Sequence, residues 1–155
     1  MSEFVIVMDK TMASADLLML NEPSLPEAMR QLNLCDAFVA VKDAAKAICV
    51  CLLAKRKDFY DVVNLALDQD YINSGADKEV LLYALDYVRA QGGNIVEIGA
   101  GNAELRRHEM LIALGFRVVG VWRNHFPPNT KAAAPQNPVP NLDMIRYRFD
   151  LRGTR

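Results

Sequence analysis

Residues 73–78, Asn-Ser-Gly-Ala-Asp-Lys, place a glycine and other small residues directly before a run of apolar side chains at helical spacing. A helix that begins after such a loop presents unpaired N–H groups and the positive end of its dipole, and these bind phosphate. Asp77 puts a carboxylate in that position. At about 4 Å, two unit charges repel by roughly 1 kcal/mol in water and roughly 4 kcal/mol at an effective dielectric constant of about 20. The stretch therefore predicts an anion site that carries an opposing charge.

The same residues also fit a plain helix start. Ser74 and Asp77 have the spacing of a capping box, in which Ser74 is the N-cap and the carboxylate reaches back to its N–H. A carboxylate in the first turn also suits the helix dipole. An anion site and a helix cap compete for one set of N–H groups, and the sequence leaves both interpretations open.

Length and composition indicate one globular domain over residues 1–155. The chain has 155 residues, 52% hydrophobic and 24% charged, with a formal net charge of −1. This balance argues against a nucleic-acid partner or a polybasic membrane contact. The longest apolar run, residues 47–54, is too short to span a bilayer, and the first ten residues do not have the pattern of a signal peptide. We therefore expect a cytoplasmic protein.

The chain has three cysteines, Cys35, Cys49 and Cys51, and an odd number cannot all form disulfides. This fits a cytoplasmic protein. Cys49 and Cys51 alternate along a predicted strand, so they share a face and are expected to pack as small hydrophobes. Only His108 and His125 could join them as ligands. We therefore expect no metal site.

The order of elements predicts an α+β fold, with a mixed and mostly antiparallel central sheet of about seven strands and about four flanking helices. Strands are predicted at residues 2–9, 37–41, 45–56, 59–71, 94–101, 116–122 and 142–151. Helices are predicted as two short ones within residues 14–34, one that ends at the glycines 92–93, and one over residues 103–114 with Asn102 as its N-cap. The proline-rich residues 127–141 are predicted to form a loop before the last strand.

Residues 64–102, with the turn Glu-Ile-Gly-Ala-Gly-Asn at their end, and residues 114–122 resemble the central motifs of the GNAT superfamily, the acyl-CoA-dependent N-acyltransferases. Residues 143–151 resemble the last strand of a poorly characterised bacterial branch of that superfamily. The resemblance covers nearly the whole chain, and the order of elements agrees with it. It implies a GNAT-like domain that uses acetyl-CoA as a co-substrate.

The resemblance assigns a cofactor role to the opening stretch. The family pattern of Arg or Gln, two residues, Gly, one residue, and Gly or Ala falls on Ile72, Gly75 and Asp77, so only Gly75 matches. The loop residues expected to hold the pyrophosphate are Asn73, Ser74, Gly75, Ala76, Asp77 and Lys78.

Other cofactor contacts follow from the same resemblance. The backbone of Leu65, Ala66 and Leu67 is expected to bind pantetheine, with an N–H near Leu67 polarising the thioester carbonyl. Asn102 is expected to touch pantetheine. Arg106, with its neighbour Arg107, either meets the phosphate on the adenosine side or forms a solvated basic face.

The resemblance also points to the groups that would move protons. Asp61 occupies the position where many members carry a glutamate base, and its apolar neighbours would desolvate it as a base near neutral pH requires. Glu97, on the adjacent predicted strand, is the alternative. Leu111 stands where the family often has a tyrosine that acts as general acid, so that contribution is absent.

The leading hypothesis is an N-acetyltransferase that forms a ternary complex, in which the amine attacks the thioester directly. The acceptor, a small molecule or a peptide, would lie where the proline-rich loop, Trp122 and His125 meet the first two helices. The alternatives are a catalytically weak or inactive GNAT-fold protein that binds CoA or a partner, and an unrelated α+β binding domain. A homodimer is left open.

Overall fold

The computed structural model describes residues 3–133 and 137–153. Its elements in chain order are β1 (Phe4–Val7), α1 (Ala15–Leu18), α2 (Leu25–Leu34), β2 (Asp36–Lys42), β3 (Lys46–Lys55), β4 (Tyr60–Leu67), α3 (Ala76–Ala90), β5 (Ile95–Gly101), α4 (Leu105–Leu114), β6 (Arg117–Trp122), β7 (Thr130–Lys131), β8 (Pro140–Asn141) and β9 (Met144–Asp150). Short 3₁₀ turns precede α1 and α3. The predicted fold class is confirmed.

Seven strands form one sheet in the order β1-β2-β3-β4-β5-β9-β6. Every neighbouring pair is antiparallel except β4 and β5, which run parallel and are joined through α3. β2 and β3 form a hairpin that turns at Asp43 and Ala44, which both have positive φ, as a tight hairpin turn requires. The right-handed crossover of a parallel pair places α3 on one face of the sheet.

The sheet is covered on both faces, because two groups of buried side chains lie on its opposite sides. On one side α3 buries Val80, Leu81, Ala84, Leu85 and Val88, which recur at helical spacing and form its apolar face. On the other side α1 and α2 pack over β2 and β3. Gly92, with φ of 80°, ends α3 in the left-handed cap that the sequence predicts.

Three boundaries differ from the sequence-based expectations. The first strand covers only four residues, and Ser2 lies outside the described residues. The predicted strand over residues 59–71 stops at Leu67, because Asp68 accepts a hydrogen bond from Asp70 N and starts a 3₁₀ turn. The predicted loop over residues 127–141 contains the short ladder of β7 and β8, and its residues 134–136 lie outside the described residues.

Across residues 3–133 and 137–153, none of the helices has the length and apolar character needed to cross a membrane.

Candidate functional site

The centre of the sheet opens where β4 and β5 separate. The two strands pair only over three positions, Tyr60 to Val62 with Val96 to Ile98. Beyond Val62, β4 continues to Leu67 along β3, while no strand of the described residues pairs with its other edge. Such a divergence leaves backbone groups of β4 available to a ligand that lies like an added strand.

The backbone of Leu65 and Leu67 faces this opening. The Leu65 carbonyl accepts hydrogen bonds from Arg107 Nη2 and Asn21 Nδ2, both at 2.9 Å, and the Leu67 carbonyl accepts one from Gln69 Nε2 at 3.3 Å. In a strand, the N–H and C=O of one residue point to the same edge. The N–H groups of Leu65 and Leu67 therefore point into the opening, where the sequence placed the polarising donor.

Two cavities flank this edge of β4. The first has a volume of about 350 Å³ and is lined by residues from β4, the loop before α3 and the start of α4, among them Leu67, Ile72, Leu105 and Arg106. The second, of about 190 Å³, is lined by residues from the separated parts of β4 and β5. Its wall includes His125, Lys131 and residues of the segment after α1, close to the predicted acceptor region. Trp122 stands beside His125, with ring centroids 5.6 Å apart.

The cavities share part of their lining. Leu65, Glu104 and Arg107 border both, together with Leu20, Asn21 and Ala133. A ligand in one cavity would therefore meet a ligand in the other beside the Leu65 backbone. The arrangement suits the transfer of a group between two bound molecules.

The start of α3 differs in detail from the predicted capping box. The N-cap is Gly75, with φ of 78°, and Ser74 Oγ accepts from Ala76 N at 3.1 Å instead of capping a later N–H. Asp77 does not reach back to Ser74; its Oδ1 accepts from Lys78 N at 3.0 Å. The left-handed conformation at Gly75 turns the chain too sharply for the box, so the predicted box is wrong while the helix start is confirmed.

Asp77 is 2% exposed and faces α4. Its Oδ2 lies 3.7 Å from Arg106 Nη1 and accepts no hydrogen bond within residues 3–133 and 137–153. Asp77 borders a small hollow of about 240 Å³ between α3 and α4, and it is not part of the wall of the first cavity. The carboxylate is therefore partly neutralised by Arg106, which itself lines both spaces.

Asn102 is not the N-cap of α4, a role that falls to Glu104. Its Oδ1 accepts from Leu142 N and Asp143 N, at 2.6 and 2.9 Å, so its side chain ties the end of β5 to the loop before β9. This pair of contacts draws it away from the helix, which explains why the predicted cap is wrong. Whether Asn102 touches pantetheine stays a prediction.

Asn141 organises the start of α4. It is 4% exposed; its Oδ1 accepts from Ala103 N at 2.9 Å, and its Nδ2 donates to Glu104 Oε2 at 2.7 Å. Gly101 leaves room for it, because a Cβ at that position would lie 2.2 Å from Asn141 Oδ1. The glycine at the end of β5 is thus needed for a close side-chain approach.

Replacement of Gly101 by alanine should lower the free energy of unfolding by about 1–3 kcal/mol, because a displaced Asn141 leaves buried polar groups without partners. Gly120→Ala on β6 is the matched control, since a Cβ there meets nothing within 4 Å. Chemical denaturation of both variants measures the difference. Equal stability of the two would contradict the close-approach argument.

The two carboxylates predicted as bases are bound by arginines. Asp61 and Glu97 lie directly opposite each other in the β4–β5 pairing, and Arg146 Nη2 stands 3.1 Å from Asp61 and 3.5 Å from Glu97. Arg148 contacts Glu97 at 2.6 Å, and Arg56 contacts Asp61 at 3.5 Å. Neither carboxylate borders either of the two cavities at the strand opening. Their catalytic role stays a prediction.

Leu111 is fully buried, so the tyrosine position of the family contributes only to the core here. One turn earlier, His108 Nε2 lies 2.8 Å from the Gly101 carbonyl and Nδ1 lies 2.5 Å from Tyr147 Oη. Because a carbonyl only accepts, Nε2 carries the ring proton and Nδ1 accepts from the tyrosine. Burial raises the pKa of Tyr147. The pair holds the end of β5 and borders neither cavity.

The cysteines pack as the sequence predicts. All three are buried, and Cys49 and Cys51 belong to the same side of the core. Burial raises the pKa of Cys51 to about 12 and that of Cys49 well above its usual value. Within the described residues, no group of histidine, cysteine or acidic side chains could hold a metal ion.

The separated parallel strands, the helix that begins beside them and the strand order define the fold of the GNAT acyltransferases. No protein-family model matches the chain. The chain is 26% identical over 136 residues to the uncharacterized N-acetyltransferase YvbK of Bacillus subtilis, covering 88% of each sequence. The resemblance found in the sequence is confirmed.

Solved structures of acetyltransferases share this fold. An IAA acetyltransferase from Bacillus cereus superposes with a TM-score of 0.84 at 23% identity, covering 96% of this chain and 99% of that one. A GNAT family acetyltransferase from Elizabethkingia anophelis with acetyl-CoA bound superposes with a TM-score of 0.83 at 20% identity, covering 97% of this chain and 100% of that one. A Bacillus subtilis acetyltransferase in complex with CoA superposes with a TM-score of 0.80 at 22% identity, covering 96% of this chain and 99% of that one.

Proposed function

We propose that the protein transfers an acetyl group from acetyl-CoA to a primary amine, by direct attack of the amine in a ternary complex. The observation that carries this proposal is the opening between β4 and β5, with the backbone of Leu65 and Leu67 directed into it and two cavities that share Leu65 in their lining. The relatives support it, since two similar structures contain acetyl-CoA or CoA.

The first cavity fits the cofactor. Leu65 and Leu67 line it, so the β4 backbone would hold the pantetheine amides there. The helix start would hold the pyrophosphate in the hollow between α3 and α4, which Gly75 and Lys78 border and which shares Arg106 with the first cavity. Residues 73–78 offer the N–H groups of this start, and Arg106 and Lys78 supply positive charge beside it. Asn102 stays a proposed pantetheine contact.

The acetyl group would then lie where the two cavities meet. Leu65 lines both cavities and its N–H points into the opening, so we place the donor that polarises the thioester carbonyl there, two residues before the Leu67 expected from the sequence. A fixed backbone donor aimed at a developing oxyanion lowers the barrier to acyl transfer. The amine would approach from the second cavity.

Direct attack is favoured over an acyl-enzyme on sulfur. The nucleophile in such an intermediate is a thiolate, and burial keeps Cys49 and Cys51 in the thiol form. None of the three cysteines borders either of the two cavities. Holding the two substrates close together then provides most of the acceleration of acetyl transfer.

Acetyl-CoA should bind saturably to the purified protein, with micromolar affinity in isothermal titration calorimetry. Leu105→Glu, which places a carboxylate at the wall of the first cavity, should weaken binding severalfold. Ile112→Glu is the matched control, because both side chains are exposed on α4, at 70% and 59%, and only Leu105 borders that cavity. Absence of binding at millimolar acetyl-CoA would favour the inactive GNAT-fold alternative, which the changes at Ile72, Asp77 and Leu111 support.

A further inference from the structure

Glu104 is the carboxylate that borders both cavities among the described residues. It precedes α4 as its N-cap and is half-buried, and no role was predicted for it from the sequence. Its position next to Leu65 and Arg107 puts it where the acetyl group and the amine would meet under the proposed function. A carboxylate there is within the region where a proton must leave the attacking nitrogen.

One oxygen of this carboxylate is fixed, and the other is available. Glu104 Oε2 accepts from Ala133 N at 2.9 Å and from Asn141 Nδ2 at 2.7 Å. None of residues 3–133 and 137–153 donates a hydrogen bond to Oε1. The two contacts on Oε2 hold the orientation of the group, as a positioned base requires.

The other proton acceptors near the site are less well placed. Asp61 and Glu97 are bound to arginines and lie outside both cavities. His108 has both ring nitrogens occupied. His125 borders only the second cavity and is exposed.

Glu22 also borders only the second cavity, and its Oε1 accepts from Ser24 N. Its carboxylate is thus already engaged in the turn that follows α1. It does not reach the wall that the two cavities share.

We propose that Glu104 is the general base of the acetyl transfer, an inference that rests on the proposed function. The amine nitrogen attacks the thioester carbon and forms the C–N bond, and Glu104 Oε1 takes the proton that nitrogen loses. The C–S bond then breaks, and the departing thiolate accepts that proton from Glu104. The products are the N-acetylated amine and CoA, and Glu104 is a carboxylate again.

Glu104→Gln tests this closely, because the amide oxygen can keep both contacts of Oε2 while the nitrogen that replaces Oε1 cannot accept a proton. The wild-type protein is first assayed with acetyl-CoA and a panel of amino acids, polyamines and arylalkylamines, by loss of thioester absorbance. With the best acceptor, Glu104→Gln should lower kcat by about 10²–10⁴-fold. Its acetyl-CoA affinity in calorimetry should stay within about twofold. Glu109→Gln, an exposed carboxylate on the same helix, is the control and should keep wild-type turnover.

Hydroxylamine separates a chemical role from a structural one. It is largely unprotonated at neutral pH and needs less help from a base, so its acetylation should fall far less in Glu104→Gln than that of the amine. The inference is overturned if Glu104→Gln keeps its rate with the amine, or if both nucleophiles lose rate equally. If wild-type protein binds acetyl-CoA and acetylates an amine, such a result removes only Glu104. If wild-type protein does neither, the proposed function falls and the inference falls with it.

Discussion

Replacement of Arg146 by methionine is expected to lower the free energy of unfolding by about 3–5 kcal/mol. Arg146 is 6% exposed and lies between the buried ends of Asp61 and Glu97, and its guanidinium stacks on Trp122 with 4.4 Å to the ring centroid. Methionine fills a similar volume but removes the charge, which leaves two carboxylates facing each other across the β4–β5 pairing. Urea denaturation followed by circular dichroism measures the loss.

Arg148→Met is the matched control for this change. Arg148 binds the same Glu97 at 2.6 Å, but its side chain is 48% exposed, so water screens the pair. Its loss should cost less than about 1 kcal/mol. Equal losses for the two arginines would show that the cluster does not depend on the buried cation.

The hypothesis that Asp61 is the general base can be tested through its contacts with the arginines of this cluster. Asp61→Asn, assayed for turnover beside its stability, tells a structural carboxylate from a catalytic one. A stability loss with unchanged kcat assigns Asp61 to the arginine cluster.

Replacement of Asp77 by asparagine should tighten acetyl-CoA binding by about tenfold, which corresponds to about 1.4 kcal/mol. Asp77 brings a negative charge to the first turn of α3, where phosphates would bind. It also forms an ion pair with Arg106 and accepts the hydrogen bond of the Lys78 N–H, so neither group is available to the cofactor. The neutral amide removes the repulsion and frees Arg106 to meet the cofactor. The expected gain is below the roughly 4 kcal/mol of a bare pair at an effective dielectric constant of about 20, because Arg106 already offsets part of the charge.

Calorimetry with acetyl-CoA measures this gain, and Asp86→Asn is its control, since Asp86 lies on the same helix, well beyond its first turn, with a side chain that is 77% exposed. Unfolding should show Asp77→Asn to be as stable as wild type or more so, because Oδ2 is buried without a hydrogen bond in the part of the chain that the structure describes. Unchanged or weaker cofactor binding would mean that the carboxylate faces away from the bound phosphates.

The strands and helices followed from the sequence because their signals are local. The apolar spacing of α3 and its stop at Gly92 depend on neighbours within a few turns, as does the end of α4 at Gly115, with φ of 105°. The hairpin turn at Asp43 and Ala44 is of the same kind. Such features fix element type and order, and from these a mixed, mostly antiparallel sheet could be expected.

The opening in the sheet had no local signal. Leu65, Ala66 and Leu67 look like any core strand, and only the resemblance of the surrounding motifs placed a ligand beside them. The structure shows the separation directly, since the β4–β5 pairing ends at Val62. Side chains of an ordinary buried strand are equally compatible with a closed sheet, so the residues themselves could not decide.

The partners of a side chain could not be predicted from the sequence where they lie far away along the chain. Asp61 is held by Arg146, 85 residues away, and Asn102 is drawn to the loop before β9, about 40 residues away. Glu104 was missed for the same reason, because its partners Ala133 and Asn141 follow it by 29 and 37 residues. A carboxylate directly before a helix is an unremarkable feature until the fold shows which cavities it borders.

The depth of the cysteines has a consequence for the resting complex. Thioesters acetylate accessible thiolates without a catalyst, and a bound thioester is held near its protein for as long as no acceptor arrives. Cys49 and Cys51 are fully buried, and Cys35 is 5% exposed. Under the proposed function, a protein with bound acetyl-CoA is thereby protected from acetylating its own cysteines before an amine binds.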